Sequence, residues 1–291
     1  MLLKVILFIF SLATNFQSIY GWKLQGRIVG GLESRPTEWP FMISLFEMYY
    51  NEENEIEMEK FKCGASLIGQ FWAITAAHCV YRKDAANFRL RIGETRDFPH
   101  GKKVIHIHEF ICHPLYRHGM FTNDIALIRF MTPVTFDTEI YPISLPLSKE
   151  DDYAGKLATV IGWGSLGERP NQRPKYLNHV ELPVMSNFKC QQILKLTSVF
   201  QRTKFHHSWL CAGYLPGGKD ACDGDSGGPL AVQENGQWTL IGIVSAGFGC
   251  ARPFQPGIYA RVTKFLDWIA CVTANYDVLD DYYHCLTSSK N

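Results

Sequence analysis

From Pro40 onward, apolar residues come in short runs that Gly, Pro and Asn break every few positions. Runs of this length suit strands and are too short for packed helices. The predicted strands are 41–46, 71–76, 89–92, 103–111 and 125–130 in the first half of the chain. In the second half they are 157–161, 179–184, 209–212, 230–233, 237–245 and 257–262. Asn235-Gly236 between two runs is a hairpin signal, because both residues tolerate positive φ. Many short strands at such spacing build a sandwich or a barrel, and periodicity does not choose between them. Helical spacing is confined to 187–196 and 263–272. In the latter, Phe265, Leu266, Trp268, Ile269 and Val272 share a face behind Thr263 as candidate cap.

One stretch cannot belong to a core. Gly217-Gly218-Lys219-Asp220-Ala221-Cys222-Asp223-Gly224-Asp225-Ser226-Gly227-Gly228-Pro229-Leu230 sets a hydroxyl among glycines and carboxylates. A buried carboxylate without a partner is costly, whereas glycine lets backbone approach a ligand closely. A serine hydroxyl becomes a good nucleophile when a base takes its proton and a third group orients that base. Both groups stand upstream, His78 in Thr75-Ala76-Ala77-His78-Cys79 and Asp124 in Asn123-Asp124-Ile125-Ala126-Leu127.

Together with Arg27-Ile28-Val29-Gly30-Gly31, these motifs resemble the trypsin/chymotrypsin serine proteases, whose triad runs in the chain order His, Asp, Ser. The resemblance covers roughly residues 28–275. It implies an all-β fold of two six-stranded antiparallel β-barrels with a C-terminal α-helix, and an active site in the cleft between the barrels. Barrel one is expected over about 28–145, barrel two over about 146–262 and the helix over 263–275, with 276–291 as a C-terminal extension.

The same resemblance assigns roles. His78 would act as general base and then acid towards Ser226, with Asp124 fixing its tautomer. Backbone N–H groups of Gly224 and Ser226 would form the oxyanion hole. Asp220 matches the carboxylate at the base of the primary pocket, where it favours Arg or Lys before the scissile bond. Ser245, Gly247 and Gly257 match further substrate-binding positions, the two glycines being walls that must stay small. Arg27–Ile28 matches the activation bond of a zymogen, with the new Ile28 ammonium folding inward onto Asp225. Disulfides Cys63–Cys79, Cys190–Cys211 and Cys222–Cys250 are implied as well. The positions of another common family bridge hold Ala158 and Val232.

Departures from the family pattern are equally specific. Ala246 stands where the family usually has Trp, removing an aromatic wall beside the substrate backbone. Phe61 replaces a histidine that in many members steadies the Asp225 equivalent before activation. The 93–103 segment lacks the spaced carboxylates of the trypsin calcium loop. His106 and His108 share a strand face but lack further ligands, so no metal is assigned. The 47–60 insert, rich in glutamate, reads first as a solvated loop and alternatively as a filter for basic substrates. A second expansion at 200–207 lies where relatives vary their substrate-facing rim. Cys112, Cys271 and Cys285 remain over, and spacing leaves Cys112–Cys271, Cys112–Cys285 and Cys271–Cys285 open. The first is preferred.

Nine cysteines suit an oxidising compartment. The basic start of 1–4, the apolar run 5–13 and Gly21 read as a secretory signal peptide over 1–21, followed by an activation propeptide at 22–27. The apolar run is too short to span a bilayer, and a net charge of +1 gives no reason to invoke nucleic acid. The expectation is a secreted, monomeric, zymogen-derived serine endopeptidase without cofactor. It would cut after Arg or Lys through an acyl-enzyme on Ser226. Its partners would be protein or peptide substrates, an activating protease and protein protease inhibitors. The rival from another class is a protease-fold binding protein with weak or no activity, to which only Ala246 lends weight.

Overall fold

The computed structural model describes residues 29–53, 55–93, 103–168, 174–196, 205–276 and Cys285. The expected leader and propeptide with Arg27, Ile28, the 94–102 segment, positions 200–204 and the tail past Tyr276 other than Cys285 lie outside the described residues.

After a short strand β1 (Leu32–Glu33), the first half forms β2 (Met42–Tyr50), β3 (Ile56–Gly69), β4 (Trp72–Thr75), β5 (Phe88–Ile92), β6 (Lys103–Cys112) and β7 (Ala126–Phe130). A one-turn helix α1 (Ala77–Val80) and a 3-10 turn (Ala85–Asn87) lie between β4 and β5. These strands close into an antiparallel barrel in the order β2-β3-β4-β7-β6-β5. Its interior is Ile43, Leu45, Leu67, Ile74, Leu90, Ile92 and Leu127, all fully buried.

The second half contributes β8 (Leu157–Gly162), β9 (Asn178–Met185), β10 (Trp209–Ala212), β11 (Pro229–Glu234), β12 (Gln237–Ala246) and β13 (Gly257–Arg261). The order β9-β10-β13-β12-β11-β8 is closed by the β8–β9 pairing, and β1 adds to β9 from outside. Ala158, Val160, Leu182, Leu210, Leu230, Ile241 and Tyr259 fill this barrel. Val232 joins them, so the two positions left without cysteine are filled by apolar packing. The fold is therefore two six-stranded antiparallel barrels, as the family resemblance implies. Closure leaves few free strand edges.

Helix α2 (Asn187–Leu196) falls where the spacing predicts it. The C-terminal helix α3 runs Leu266–Asn275 and starts later than expected. Thr263 is not its cap: it lies in a 3-10 turn (Val262–Lys264), buried among core residues, and Phe265 takes the N-cap position without a side-chain bond. Tertiary packing of Phe265 and Trp268 against His113 overrides the local capping signal.

The acidic insert is not a loop. β2 and β3 continue through it as a long hairpin, pairing Glu47 with Lys60, Met48 with Glu59 and Tyr49 with Met58. Asn51 closes the turn, its Oδ1 accepting from the N–H groups of Glu53 and Glu55 at 3.1 and 2.8 Å. On β2, Phe46 and Met48 are buried, whereas the facing part of β3, 56–60, is exposed throughout. Neutralisation helps too, since Glu47 pairs with Lys83 and Lys62, and Glu59 with Arg91.

Four disulfides are present, and Cys63–Cys79, Cys190–Cys211 and Cys222–Cys250 are among them. The preferred Cys112–Cys271 pairing is wrong. Cys271 bonds to Cys285, 14 positions on, a shorter loop than one spanning 112 to 271 and one that costs less entropy to close. Cys112 is left as a half-buried thiol beside Ala126. Its burial pushes the thiol up to about 12. Unfolding without reductant should thus release one thiol per chain. The native protein at about pH 8 should alkylate far more slowly than the unfolded one. Recovery of a peptide linking Cys112 to Cys271 would refute this pairing.

Candidate active site

Strand β4 delivers the chain into α1 through Thr75, whose hydroxyl donates to the Gly64 carbonyl at 2.8 Å. Ala76 and Ala77 are fully buried, so only small side chains fit ahead of His78. The Asp124 carboxylate is completely buried and accepts from the His78 backbone N–H at 2.8 Å. Its other oxygen lies 2.7 Å from His78 Nδ1 and accepts from Ser245 Oγ at 2.5 Å. A carboxylate at Nδ1 keeps the proton on that nitrogen and leaves Nε2 as the acceptor. Asn123, at φ 52°, aims Asp124 inward and is held by Leu115 O and Ser208 Oγ at 3.0 and 3.1 Å.

Ser226 sits in the turn before β11, half-buried at the edge of a cavity of about 350 Å³. Two contacts bring it to His78. Its carbonyl accepts from Gly64 N at 2.8 Å, and Gly227 passes so close to the Cys63–Cys79 bridge that a Cβ there would lie 3.2 Å from Cys79 Sγ. Among the described residues the Ser226 and His78 side chains make no hydrogen bond to each other. The nearest partner of His78 Nε2 is Cys79 Sγ at 3.7 Å. Nucleophile–base bonds are often loose without substrate and tighten when it binds.

Gly224 takes φ 101°, and a Cβ there would meet Gly164 Cα at 3.2 Å. Among the described residues, neither the Gly224 nor the Ser226 N–H donates to a backbone carbonyl. Between them Asp225 turns inward, 1% exposed. Its oxygens accept from Gly164 N at 2.7 Å and Cys222 N at 2.9 Å. Burial still pushes this carboxyl up to about 6, against those bonds. A Cβ on Gly162 or Gly164 would overlap it.

Asp220 lines the cavity, 3% exposed. Oδ2 accepts from Ala251 N at 3.0 Å, while Oδ1 is buried without a partner. Burial pushes the carboxyl up to about 7, opposed by the Ala251 and Ala221 N–H groups. Gly257 is tightly packed, since a Cβ would lie 3.1 Å from Asp220 Oδ1 and 3.0 Å from Tyr259 Oη. Gly247 and Ser245 form the wall beside Ala246. The Asp220 N–H reaches Val29 O at 3.3 Å, so the first described residue is already tied to this segment. Phe61 stacks edge-on to Trp163 at 6.1 Å and to Phe46 at 5.8 Å, offering Asp225 no polar group. His106 and His108 are both exposed on β6, and His108 Nδ1 lies 3.0 Å from Tyr276 Oη. Ala246 lies in the wall of the cavity and, with Phe205, Leu215 and Phe248, packs against the Trp209 cluster.

Sequence reasoning missed Tyr259, whose hydroxyl is a second buried, unpartnered group beside Asp220. It missed Glu168 and Arg252 at the cavity mouth as well. Tyr259 reads as a core strand residue, and the other two as surface charges.

The Asp220 shift has a stability consequence whose sign follows from its direction. The folded value, about 7, exceeds the unfolded value of about 3.9. Protonation therefore stabilises the empty protein, fully below about pH 4, and this stabilisation is lost as pH rises through about 7. Asp220→Asn removes the dependence. Denaturant unfolding should show the variant gaining roughly 4 kcal/mol on wild type between about pH 4 and about pH 8. A difference that stays flat with pH would mean that Asp220 ionises without cost.

Buried acid–imidazole pair, serine turn and carboxylate-floored cavity lie in a chain whose residues 28–269 match the family model described as Trypsin. The match spans both barrels and reaches into α3. The chain belongs to the trypsin family of serine proteases.

Proposed function

We propose that this protein is a secreted serine endopeptidase, made as a zymogen, that hydrolyses peptide bonds following Arg or Lys. The observation that carries the reading is the unpartnered Oδ1 of Asp220, buried in the cavity that Ser226 borders. A partly desolvated carboxylate there gains most from a cation with several N–H donors, and a guanidinium or ammonium supplies them. Walls kept at Gly247 and Gly257 leave room for its long stem.

In the proposed reaction the Ser226 hydroxyl attacks the carbonyl carbon of the basic residue itself while His78 Nε2 takes its proton. Asp124 stabilises the imidazolium that results, and Ser245 and the His78 N–H hold Asp124 in place. The oxyanion meets the N–H groups of Gly224 and Ser226. Each such donor is typically worth about 2.7–4 kcal/mol. His78 then protonates the leaving amine. Water, deprotonated by His78, releases the acyl group and restores Ser226.

Activation at Arg27 would create an ammonium at Ile28. Support comes from Val29, bonded to the Asp220 segment, and from Asp225, a buried carboxylate without a cation among the described residues. Disulfides and the signal-like segment 1–21 support secretion. An activating protease and protein inhibitors are the expected partners.

Arg27-cleaved protein should hydrolyse an arginyl ester in preference to a phenylalanyl ester, and Ser226→Ala should abolish turnover while keeping the fold. Preference for the aromatic ester would refute the pocket reading, and failure of an active-site phosphonate to label Ser226 would favour an inactive binding protein. Activity should also fall as pH rises through the Ile28 ammonium pKa, about 8 unperturbed and higher when paired. A flat alkaline limb to about pH 11 would remove the ammonium from the mechanism.

A further inference from the structure

Glu168 follows β8 and Arg252 lies between β12 and β13, yet both border the mouth of the Asp220 cavity. Glu168 Oε1 accepts from Arg252 Nε at 2.5 Å and from the Cys250 backbone N–H at 2.9 Å. Its Oε2 accepts from Arg252 Nη2 at 2.8 Å. One carboxylate thus makes a two-pronged contact with the guanidinium and a third bond to backbone. Gly249 leaves it room, because a Cβ there would overlap Glu168 and Arg252 alike.

The loop so held carries the donor to Asp220. Ala251, between the two latched residues Cys250 and Arg252, donates its N–H to Asp220 Oδ2 at 3.0 Å. The Ala251 carbonyl accepts from Gly218 N at 2.9 Å, two residues before Asp220. At its other end, the segment bearing Glu168 donates Gly164 N–H to Asp225 at 2.7 Å. The short stretch from Gly164 to Glu168 therefore touches the surroundings of both buried carboxylates.

We propose that Glu168 is a positioning residue, latching Arg252 and Cys250 so that the Ala251 N–H stays aimed at Asp220. The proposal rests on the reading of Asp220 as the cation-binding group. The pair is exposed, Glu168 by 40% and Arg252 by 53% of their side chains. Exposed pairs add little to global stability. A latch of this kind acts through the geometry of one loop, and its effect belongs in substrate affinity rather than in melting temperature. Arg252 and the Cys250 N–H also hold the Glu168 carboxyl below its ordinary range, so it stays charged wherever the enzyme works.

The test uses the Arg27-cleaved full chain with arginyl and phenylalanyl esters and benzamidine as a small cationic probe. Glu168→Ala and Arg252→Ala should each raise KM for the arginyl ester and Ki for benzamidine about three- to fivefold, with kcat unchanged. The phenylalanyl ester should not respond. Glu168→Gln keeps one acceptor oxygen for Arg252 Nε and the Cys250 N–H but turns an NH2 towards Arg252 Nη2, and should fall in between. The double variant should be no worse than either single one, since both break the same contact.

Unchanged KM and Ki in the single variants, additive losses, or an equal loss on both esters would overturn the latch. A fall in KM for Arg252→Ala would overturn it too, because Glu168 would then be meeting the substrate cation itself. Wild type preferring the phenylalanyl ester would bring down the pocket reading and the latch with it. Wild type preferring the arginyl ester, with indifferent variants, removes the latch alone.

Discussion

Carboxylates buried with no Lys or Arg partner among the described residues set the terms of this structure. Asp124, Asp220 and Asp225 are 0, 3 and 1% exposed, and removing such a charge from water costs several kcal/mol unless donors replace the water. The three are supplied unequally. Asp124 has two donors from His78 and one from Ser245. Asp225 has backbone N–H groups of Gly164 and Cys222, and among the described residues Asp220 Oδ1 has no hydrogen-bond partner. The gradient separates a group that is complete from two that remain short of a positive charge.

Much of the surrounding architecture follows from supplying those donors at close range. Backbone can reach a buried carboxylate only where side chains do not intervene, hence Gly162 and Gly164 against Asp225 and Gly257 against Asp220. The barrels are joined at the same place. Barrel one provides His78 and Asp124; barrel two provides Ser226, Ser245 and Asp220. Gly64 N to Ser226 O and Ser245 Oγ to Asp124 cross between them. Cys63–Cys79 and Cys222–Cys250 fix the chain on either side of the serine turn.

Reading the sequence recovered what depends on local pattern. Strand runs, α2 and the glycine-rich serine turn are written in composition and spacing, and the barrel count came from family resemblance rather than periodicity. What escaped depends on long-range partners. The 47–60 segment looked like a solvated loop because its carboxylates were visible while Lys83 and Arg91, which neutralise them, lie far along the chain. Thr263 resembled a cap until Phe265 and Trp268 were seen to pack on His113. Spacing could not pair Cys271 with Cys285, nor reveal that Glu168 meets Arg252, 84 positions away. A hydroxyl such as Tyr259 gains meaning only once the strand register brings it beside Asp220.

Under the proposed function, one physical device serves twice on a single stretch of chain. Asp220 and Asp225 stand five residues apart on the serine turn, each with its carboxyl raised by burial, to about 7 and about 6. At neutral pH the empty pocket is thus poised between a proton and an ion, and an arriving guanidinium completes the ionisation that burial opposes. The activation ammonium would do the same for Asp225 from the other side. Because two different cations are needed, neither can substitute for the other. Ser226, the residue after Asp225, meets a correct substrate and a completed activation step only when both charges are in place. Gly164 and Glu168 run along this seam, one bonded to Asp225 and the other to the loop that holds Asp220.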